Sequence, residues 1–365
     1  MAHRHPAHRS RNPPRGAPVV PHVKAITYSQ TGGSDVLHLV DRDVPEPGAG
    51  EVRVRVVVSG VNPTDWKSRS GASGGQLPAA EVVPNQDGAG VVDAVGEGVE
   101  GLAVGDRVWT YLSAHQRPTG TAQEFTVLPA VRVVPLPADA SFDEGASLGV
   151  PAMTAHRALT VSEDGPSRLA PGALAGRTVL VSGGAGAVGH AAIQLARWAG
   201  ATVVTTVSGP EKGALATAAG AHHVVNYREE DTAAVIRGIA PDGVDLVVEV
   251  ALGANAGLDQ AVVRPRASIA SYADDGGGSF TLDIRPNMVL NTRFQFVLLY
   301  TVGEEALRAA VEDVTAALRD GALPVGEEHG LPLHRFPLDR TAAAHDAVEG
   351  SVVGKVLIDV GSDVG

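Results

Sequence analysis

The order of apolar and polar positions divides the chain into two halves of different character. In the first half, EVRVRVVVSG (51–60) alternates valines with charged residues before it enters an apolar run, and residues 23–28 have a similar pattern. Such alternation is typical of β-strands. Between residues 87 and 111, glycines recur at short intervals between valine-rich runs, which predicts short antiparallel strands joined by tight turns. The first half is therefore predicted to form a β-barrel-like domain.

In the second half, predicted strands alternate with predicted helices. The strands are TVLVSG, ATVVTTV, HHVVNY, VDLVVEV, ASIASYA and FQFVLLY, and the helices are AVGHAAIQLARWAG, EKGALATAAG and TAAVIRGIA. This alternation predicts an α/β fold with a doubly wound parallel sheet. A helix over Glu304–Arg319 follows, and residues 334–360 predict one more helix and a closing strand that returns to the first domain. Phe294, Phe296 and Tyr300 would alternate on the last predicted strand and face the core or a dimer interface.

Length and composition fit two globular domains. A chain of 365 residues with 44% hydrophobic and 19% charged residues is long enough for two cores and a cleft between them. We expect the first domain to comprise residues 23–150 plus 301–365, and the second to comprise residues 151–300. Residues 1–22 contain arginines and no acid. They are expected to be a disordered leader, with a nucleic-acid arm or a targeting peptide as the alternatives.

Charge and residue usage exclude several classes of function. The formal net charge is -12 and the leader is basic, so the body is acidic, which argues against nucleic acid as the main partner. The absence of cysteine excludes disulfides, thiolate metal sites and a cysteine nucleophile. No run approaches the roughly 18 apolar residues that a membrane span needs. We therefore expect a cytoplasmic protein with no membrane partner.

A glycine turn follows the first predicted strand of the second half. Gly184, Gly186 and Gly189 form G-x-G-x-x-G between TVLVSG and a helix, which is the context in which this motif binds a dinucleotide. The first glycine is expected to make the turn, the second to let backbone N–H groups approach the pyrophosphate, and the third to let helix and strand pack closely. A purely structural turn is the alternative.

The residues after the second strand of this unit indicate which dinucleotide binds. An NAD-binding unit carries a carboxylate about 20 residues further on, where it binds the ribose 2′-hydroxyl. Here Ser208 and Gly209 stand at that position, Lys212 follows, and Tyr227 and Arg228 come after the next strand. A hydroxyl and a cation would bind a 2′-phosphate that a carboxylate would repel, so we predict NADPH as the cofactor. Alternatively, the two cations are solvated surface charges.

Seven motifs are spread over nearly the whole chain after about Val23. They are GVNPTDWKSRSG (60–71), DGAGVVDAVGEGVEGLAVGDRVW (87–109), GVPAMTAHRAL (149–159), SGGAGAVGHAAIQLAR (182–197), NYREED (226–231), DLVVEVALGAN (245–255) and GKVLIDV (354–360). In combination they resemble the medium-chain dehydrogenase/reductases, in particular the zinc-free branch of NADPH:quinone reductases and zeta-crystallin-like proteins. The resemblance implies a GroES-like catalytic domain beside a Rossmann domain, and a homodimer formed through the Rossmann sheets.

The resemblance also implies where the cofactor lies. Lys212 and Tyr227 would hold the 2′-phosphate, and nicotinamide would lie in the cleft near Asn62 and Thr154. The implied cofactor-binding residues are Thr154, Gly184, Gly186, Ala187, Val188, Gly189, Ser208, Lys212, Tyr227, Ala251, Ser271, Tyr272 and Lys355.

The resemblance bears on metal binding as well. Zinc-dependent relatives carry a cysteine ligand and a His-Glu pair, whereas this chain has Gln86 and Asp87 at the pair and no cysteine. We therefore expect no metal. Without a Lewis acid to ionise an alcohol, reduction of an electrophilic acceptor is favoured over alcohol oxidation.

Four residues are candidates for the catalytic step, and each has a structural alternative. Asn62 could donate to the acceptor carbonyl or fix the ribose, or it could cap a turn. Thr154 could hold nicotinamide, or it could be a helix N-cap. Asp65 could orient a proton, or it could favour the start of a helix. Tyr111, like Tyr300, could donate a proton or form a pocket wall, or it could pack in the core.

Two stretches depart from the pattern of the nearest-looking relatives. GTAQEF (120–125) stands where they often have GTYAEY, so Ala122 replaces a tyrosine expected near the pocket and Gln123 adds a polar group. His156 stands where they often have tyrosine; it could titrate near neutral pH, or it could pack in the core. Both departures raise the question of whether a small quinone is the substrate.

The sequence leaves more than one function open. We predict an NADPH-dependent oxidoreductase that transfers hydride to a quinone or another conjugated carbonyl acceptor without a metal. A carbon–carbon double-bond reductase for enones or enoyl substrates in a biosynthetic pathway is the first alternative. A non-catalytic NADPH-binding protein similar to zeta-crystallin is the second.

Overall fold

The computed structural model of the protein describes residues 22–72, 74 and 76–361, so almost all of the predicted leader lies outside the described residues. The strands are β1 His22–Thr27, β2 His38–Asp43, β3 Glu51–Val61, β4 Asp87–Val95, β5 Arg107–Thr110, β6 Phe125–Pro129, β7 Val133–Pro135, β8 Thr178–Ser182, β9 Thr202–Val207, β10 His223–Asn226, β11 Val244–Glu249, β12 Val263–Ser271, β13 Arg293–Phe296, β14 Leu333–Pro337 and β15 Lys355–Asp359. The helices are α1 Pro63–Ser70, α2 Phe142–Gly145, α3 Gly149–Leu159, α4 Ala187–Trp198, α5 Pro210–Ala218, α6 Thr232–Ile239, α7 Leu252–Val262, α8 Ile284–Leu290, α9 Glu304–Arg319 and α10 Thr341–Glu349. Within this described part, no helix has the length and apolar character that crossing a bilayer requires.

The first sheet is mostly antiparallel and contains strands from both ends of the chain. Its order is β14-β15-β3-β4-β5-β7, and β6 also pairs with β3. β15 runs antiparallel to β3, whereas β14 runs parallel to β15. The alternate valines Val52, Val54 and Val56 of β3 are buried, because successive side chains of a strand point to opposite faces. The C-terminal strands thus complete a sheet that the N-terminal half begins.

The second sheet is parallel throughout. Its order is β10-β9-β8-β11-β12-β13, and each neighbouring pair is parallel. Numbered from β8, this order is 3-2-1-4-5-6, which is that of the Rossmann fold, and the reversal of strand order between β8 and β11 opens a crevice at their carboxyl ends. Val179, Val181 and Val247 are fully buried, as expected for strands covered on both faces. The predicted α/β fold with a doubly wound parallel sheet is confirmed.

The segment after residue 290 differs from the prediction. FQFVLLY was predicted to be one strand, but β13 ends at Phe296 and the chain turns through a 3₁₀ segment at Leu299–Thr301. The pairing of β13 with β12 ends at Phe296. The N–H of the next residue, Val297, still donates to the carbonyl of Ser271. The predicted alternation of Tyr300 with the phenylalanines on one strand is therefore wrong.

Two helices of the second half were not identified from the sequence. These are α7 and α8, which contain Gly253, Gly257 and Pro286. Glycine and proline are poor helix formers in an isolated chain. The helices form here because tertiary packing against the parallel sheet outweighs the low intrinsic propensity.

The predicted domain boundaries at residues 150 and 301 stay a prediction. β14 and β15 join the first sheet, in agreement with a return of the tail. However, α9, which the prediction places in the first domain, packs against α3 and against α4, the helix that follows β8 of the Rossmann sheet.

One buried carboxylate ties α9 to α3 and to the loop that precedes β8. Asp313 on α9 accepts hydrogen bonds from Nε2 of His156 on α3 (2.7 Å), from the guanidinium of Arg168 and from the N–H of Leu169. Burial by itself would raise the pKa of Asp313, but these donors outweigh burial and lower the pKa to about 2. His156 is thus a packing residue, which is the alternative that the sequence left open.

Replacing Asp313→Asn is expected to lower the free energy of unfolding at pH 7 by about 2–3 kcal/mol, because each pKa unit below the unfolded value near 3.9 contributes about 1.4 kcal/mol. The wild-type advantage is fully present above about pH 4 and is lost as the pH falls through the folded pKa of about 2. Urea denaturation at pH 7, 4 and 3 should therefore show the two proteins converging, with exposed Asp339→Asn as the control. A difference that stays constant over this range would contradict the assignment.

Candidate active site

A cleft of about 1170 Å³ lies at the carboxyl ends of the Rossmann strands. Its walls come from the turn after β8, from residues that follow β9, β11 and β12, from the start of α1, from α3 and from residues 348–356. The volume slightly exceeds the roughly 300–1,000 Å³ of most ligand pockets, and the place is where doubly wound sheets bind dinucleotides. This cleft is therefore the candidate active site.

Most of the site residues predicted from the sequence line this cleft. They are Asn62, Thr154, Gly186, Ala187, Val188, Ser208, Lys212, Tyr227, Ser271, Tyr272 and Lys355. The predicted residues that are not part of its lining are Asp65, Tyr111, Gly184, Gly189 and Ala251. The structure thus brings together two groups that are remote in sequence, and the roles of the individual residues remain predictions.

The turn after β8 uses four glycines rather than the three of the motif. Gly183 has a φ of +71°, a left-handed conformation that favours glycine, so Gly183 makes the turn that we assigned to Gly184. A Cβ on Gly184 would lie 2.2 Å from Oγ1 of Thr205, and one on Gly189 would lie 2.4 Å from the carbonyl oxygen of Gly183. Both glycines therefore allow close packing. A Cβ on Gly186 would approach nothing closer than 3.5 Å, so this position is open toward the cleft.

The N-terminus of α4 faces the same space. Ala187 and Val188 are the first two residues of α4 and line the cleft. The N–H groups of a first helical turn have no partner inside the helix, and the helix dipole adds a favourable field for anions. Together with the opening at Gly186, this end of the cleft can hold a pyrophosphate.

Three polar residues line the part of the cleft that follows β9 and β10. Ser208 follows β9, Lys212 lies in the first turn of α5, and Tyr227 follows β10. No carboxylate lines this end, because the acids in the lining, Asp274 and Asp275, belong to the loop after β12. Arg228, which we grouped with these residues, is exposed and outside the lining, so for Arg228 the surface-charge interpretation fits.

At the opposite end, a buried network fixes the side chain of Asn62. Nζ of Lys355 donates to Oδ1 of Asn62 (2.7 Å), and Nδ2 of Asn62 donates to Oδ2 of Asp87 (2.7 Å). Asp87 also accepts the N–H of Val150 at 2.9 Å. An amide nitrogen carries two N–H donors, so one N–H of Asn62 remains for a ligand in the cleft. Asn62 is also the N-cap of α1, so the capping alternative is correct, but capping alone does not account for these side-chain contacts.

Ionisable groups below Asn62 are coupled to one another. Burial lowers the pKa of Lys355, opposed by the carboxylates of Asp87 and Asp65. Burial, with the charge of Asp87 as a second cause, raises the pKa of Asp65 to about 7. Asp65 accepts the N–H groups of Asn62 (2.7 Å) and Gln86 (3.1 Å). Asp65 therefore supports the start of α1, which matches its structural alternative, and it affects the cleft through Asn62 and through its charge.

The two candidate tyrosines lie in different environments. The hydroxyl of Tyr300 donates to Oγ1 of Thr64 (2.9 Å), and both residues line the cleft. Burial, assisted by the charge of Asp65, raises the pKa of Tyr300 well above its ordinary value, so its hydroxyl keeps its proton at neutral pH. Tyr111 is buried and its hydroxyl donates to the carbonyl of Val131 (2.9 Å). Core packing therefore describes Tyr111 better than catalysis.

Thr154 lies inside α3, which begins at Gly149. The alternative that Thr154 is an N-cap is therefore wrong, and its side chain lines the cleft. The departures from the relatives' pattern lie elsewhere: Ala122 is fully buried among apolar side chains, and Nε2 of Gln123 donates to the carbonyl of Gly120. Neither Ala122 nor Gln123 is part of the lining of this cleft.

Sequence reasoning missed several residues of the lining. Lys67 and Asp274 face each other, with 3.2 Å between Nζ and Oδ1, and the segment 351–354 forms part of the wall. One signal was available for Lys67, because the chain has only four lysines and three of them, Lys67, Lys212 and Lys355, line the cleft. In the described ranges, no cluster of three or more His, Cys, Asp or Glu side chains is placed to bind a metal.

A Rossmann sheet joined to a mostly antiparallel domain, with a dinucleotide-sized cleft at its switch point, defines the class of nucleotide-dependent dehydrogenases and reductases. Family models agree with both halves. Residues 48–138 match the alcohol dehydrogenase GroES-like domain, and residues 187–316 match the zinc-binding dehydrogenase model. The first domain is therefore GroES-like, as predicted.

Individual relatives narrow the assignment. The chain is 31% identical to a quinone oxidoreductase of Rattus norvegicus over 92% of this chain and 97% of the relative. It is 30% identical to a 2-haloacrylate reductase of Burkholderia sp over 92% and 98%. The quinone oxidoreductase of Escherichia coli, solved in complex with NADPH, superposes with a TM-score of 0.75 at 25% identity, covering 92% of this chain and 99% of that one. The chain belongs to the medium-chain dehydrogenase/reductases, in the branch of the quinone oxidoreductases, and is an oxidoreductase.

The glycine turn yields a matched pair of substitutions. Gly184→Ala is expected to lower the free energy of unfolding by about 1–3 kcal/mol, as overpacking usually does, because its Cβ would lie 2.2 Å from Thr205 Oγ1. Gly186→Ala adds the same methyl group in open space and should change stability by less than about 0.5 kcal/mol, as at other uncrowded positions. Urea denaturation of both variants measures this. Equal destabilisation of the two would show that the packing is wrongly assigned.

Proposed function

We propose that the protein is an NADPH-dependent reductase that transfers hydride to a quinone or another conjugated carbonyl compound without a metal. The observation that carries this proposal is the cleft itself, which is lined at one end by Gly186 and Lys212 and at the other by Asn62 and Lys355. The relatives named quinone oxidoreductase and 2-haloacrylate reductase support it. So does the related structure that contains NADPH.

The residues of this cleft fit NADPH. The N-terminus of α4 would hold the pyrophosphate, while Ser208, Lys212 and Tyr227 would bind the 2′-phosphate through hydroxyl and ammonium donors. Thr154, Ser271 and Tyr272 would surround the nicotinamide. Ala251, the other residue predicted to bind the cofactor here, lies between the lining residues Val250 and Leu252. When bound, NADPH supplies the hydride. The protein's part is to hold the acceptor against it and to exclude water.

The chemistry at the acceptor end follows from Asn62 and Tyr300. Hydride transfer to a conjugated acceptor places negative charge on its carbonyl oxygen. The free N–H of Asn62 can donate to that oxygen, and it needs no reorganisation because Lys355 and Asp87 already hold the amide; oriented donors of this kind stabilise transition states strongly. Tyr300 lines the same end of the cleft beside Thr64, to which its hydroxyl donates, and we propose that it supplies the proton.

The donor set supports a reaction without zinc. Protein zinc sites are built mainly from cysteine and histidine, with carboxylates as further ligands. The side chains that line this cleft include neither cysteine nor histidine, and the lining carboxylates are Asp274 and Asp275. Asp87 occupies one position of the His-Glu pair of the zinc-dependent relatives. Its carboxylate accepts hydrogen bonds from the side chain of Asn62 and from the N–H of Val150.

A carbon–carbon double-bond reductase is the second candidate. The relative named 2-haloacrylate reductase favours it, because that name describes reduction of a conjugated double bond in an acid. The same residues would serve, with hydride going to the β-carbon of the acceptor. A non-catalytic NADPH-binding protein fits less well, since these relatives are named as reductases and oxidoreductases.

We also propose a homodimer formed through the Rossmann sheets. β13 lies at the edge of its sheet, and large apolar side chains near it are exposed outside the cleft, namely Leu282, Ile284, Met288 and Val289. An unpaired edge strand with apolar neighbours is a typical pairing surface, and a monomer in light scattering would contradict the proposal. The cytoplasmic location stays a prediction.

The acceptor reaction tests the function directly. Purified protein with NADPH under anaerobic conditions should oxidise the nicotinamide, followed by its absorbance, with an ortho-quinone or with an α,β-unsaturated ketone. The faster acceptor identifies the substrate class. Tyr300→Phe should lower turnover because it removes the proposed proton donor, whereas Tyr111→Phe, outside the cleft, is the matched control. No turnover with either acceptor would contradict the proposed function.

The cofactor preference is tested by Lys212→Glu. The carboxylate would repel the 2′-phosphate and remove one charge-assisted hydrogen bond, so the dissociation constant for NADPH should rise by about 10-fold or more. The constant for NADH, which lacks the phosphate, should change little. Arg228→Glu, which alters a charge outside the lining, is the control. Equal affinities of wild-type protein for NADPH and NADH would overturn the assignment of the phosphate pocket.

A further inference from the structure

Three of the four lysines of the chain line the cleft, although nearly all other cations are arginine. Two of the three have an assigned place. Lys355 holds the amide of Asn62, and Lys212 stands at the predicted 2′-phosphate pocket. Lys67 is a third ammonium group, and neither the cofactor nor the network below Asn62 uses it.

Lys67 belongs to the acceptor end of the cleft. It follows Thr64 by one turn of α1, so the two side chains share a face of the helix. Thr64 accepts the hydrogen bond of Tyr300, and Asn62 directly precedes α1. All four residues line the cleft. The ammonium of Lys67 is therefore on the side where the acceptor would lie.

The present partner of Lys67 can be replaced. Asp274 lies across the cleft at 3.2 Å, and the side chains of Asp274 and Lys67 are 73% and 32% exposed. Exposed ion pairs of this kind contribute little. The backbone of Asp274 is held by a bridge to Ala251, whereas its side chain is largely exposed and can turn toward solvent. An anion that reaches Lys67 from inside the cleft can thus take the place of Asp274.

Part of the cleft wall is apolar. Phe280, Phe296, Leu298 and Leu299 belong to the same lining as Lys67. Apolar pockets with a few placed polar groups bind small ligands by their carbon skeleton and orient them by the polar groups. A short carbon chain with one anionic end matches this combination.

We infer that the acceptor is an α,β-unsaturated carboxylate and that Lys67 binds its carboxylate group. This inference rests on the proposed function and names its substrate class. A hydride from NADPH forms the new C–H bond at the β-carbon. The π-electron pair of the double bond moves to the α-carbon and the carboxylate, where the ammonium of Lys67 stabilises it. A proton then forms the second C–H bond at the α-carbon, leaving NADP⁺ and the saturated acid.

Two acceptors that differ only in the carboxylate charge test the role of Lys67. Turnover of 2-chloroacrylate and of its methyl ester with NADPH would be compared in wild-type protein and in Lys67→Met. The ratio of kcat/KM for the acid to that for the ester is expected to fall by about 10- to 100-fold in the variant, which is the worth of one charge-assisted hydrogen bond. Lys67→Arg should recover part of the ratio. Lys24→Met, which removes the remaining lysine on the exposed face of β1, should leave the ratio unchanged.

Binding provides a readout that does not depend on turnover. The affinity of 2-chloropropanoate, the saturated product, for the complex with NADP⁺ can be measured by calorimetry. Lys67→Met should weaken it, and Asp274→Asn should strengthen it because the competing carboxylate is removed. An unchanged acid-to-ester ratio and affinity in Lys67→Met would overturn the inference. Reduction of the ester but not the acid by wild-type protein would overturn it and leave the proposed function standing, whereas failure with ester, acid and quinone alike would overturn the proposed function.

Discussion

The buried contact of Lys355 with Asn62 and Asp87 is the constraint on which the rest of the site depends. Three charged or polar side chains are buried here. Replacing one partner of such a buried group usually lowers the free energy of unfolding by about 3–5 kcal/mol. The backbone makes room for them. A Cβ on Gly149 would lie 2.0 Å from Oδ1 of Asp87, so the network requires glycine there. A Cβ on Gly60 would lie 2.2 Å from the carbonyl oxygen of Ala146 and 3.1 Å from Cε of Lys355, so glycine at this position is required mainly by the backbone of Ala146.

This network also explains why the tail returns to the first sheet. Lys355 opens β15, which pairs with β3, and Asn62 immediately follows β3. The pairing of β15 with β3 brings the ammonium group of Lys355 to the side-chain amide of Asn62. The first sheet thus supplies a rigid end of the cleft with oriented donors, where we propose that the acceptor binds, while the Rossmann sheet supplies the turn and helix end that suit a dinucleotide. The cleft forms where these two rigid parts face each other.

Charge is distributed along the cleft in a way that suits a reductase with anionic ligands. Lys212 lies at one end and Lys355 and Lys67 lie at the other, where we propose that the acceptor binds, whereas the lining acids are confined to the loop after β12. A cleft lined by several ammonium groups would attract both a phosphorylated cofactor and an acidic acceptor. The relation to proteins named quinone oxidoreductase and 2-haloacrylate reductase is compatible with either acceptor chemistry on one scaffold.

The sequence by itself determined the elements with strong local signals. Alternating strands and helices defined the parallel sheet, and the glycine motif with Ser208 and Lys212 predicted the end of the cleft that we propose for the nucleotide, because periodicity and turn chemistry are properties of adjacent residues. Only the tertiary structure decided that Tyr300 enters the cleft while Tyr111 does not, that Gly183 rather than Gly184 makes the turn, and that Lys67 meets Asp274, which lies 207 residues away. Contacts of this kind depend on how sheets and loops pack, which no local pattern encodes.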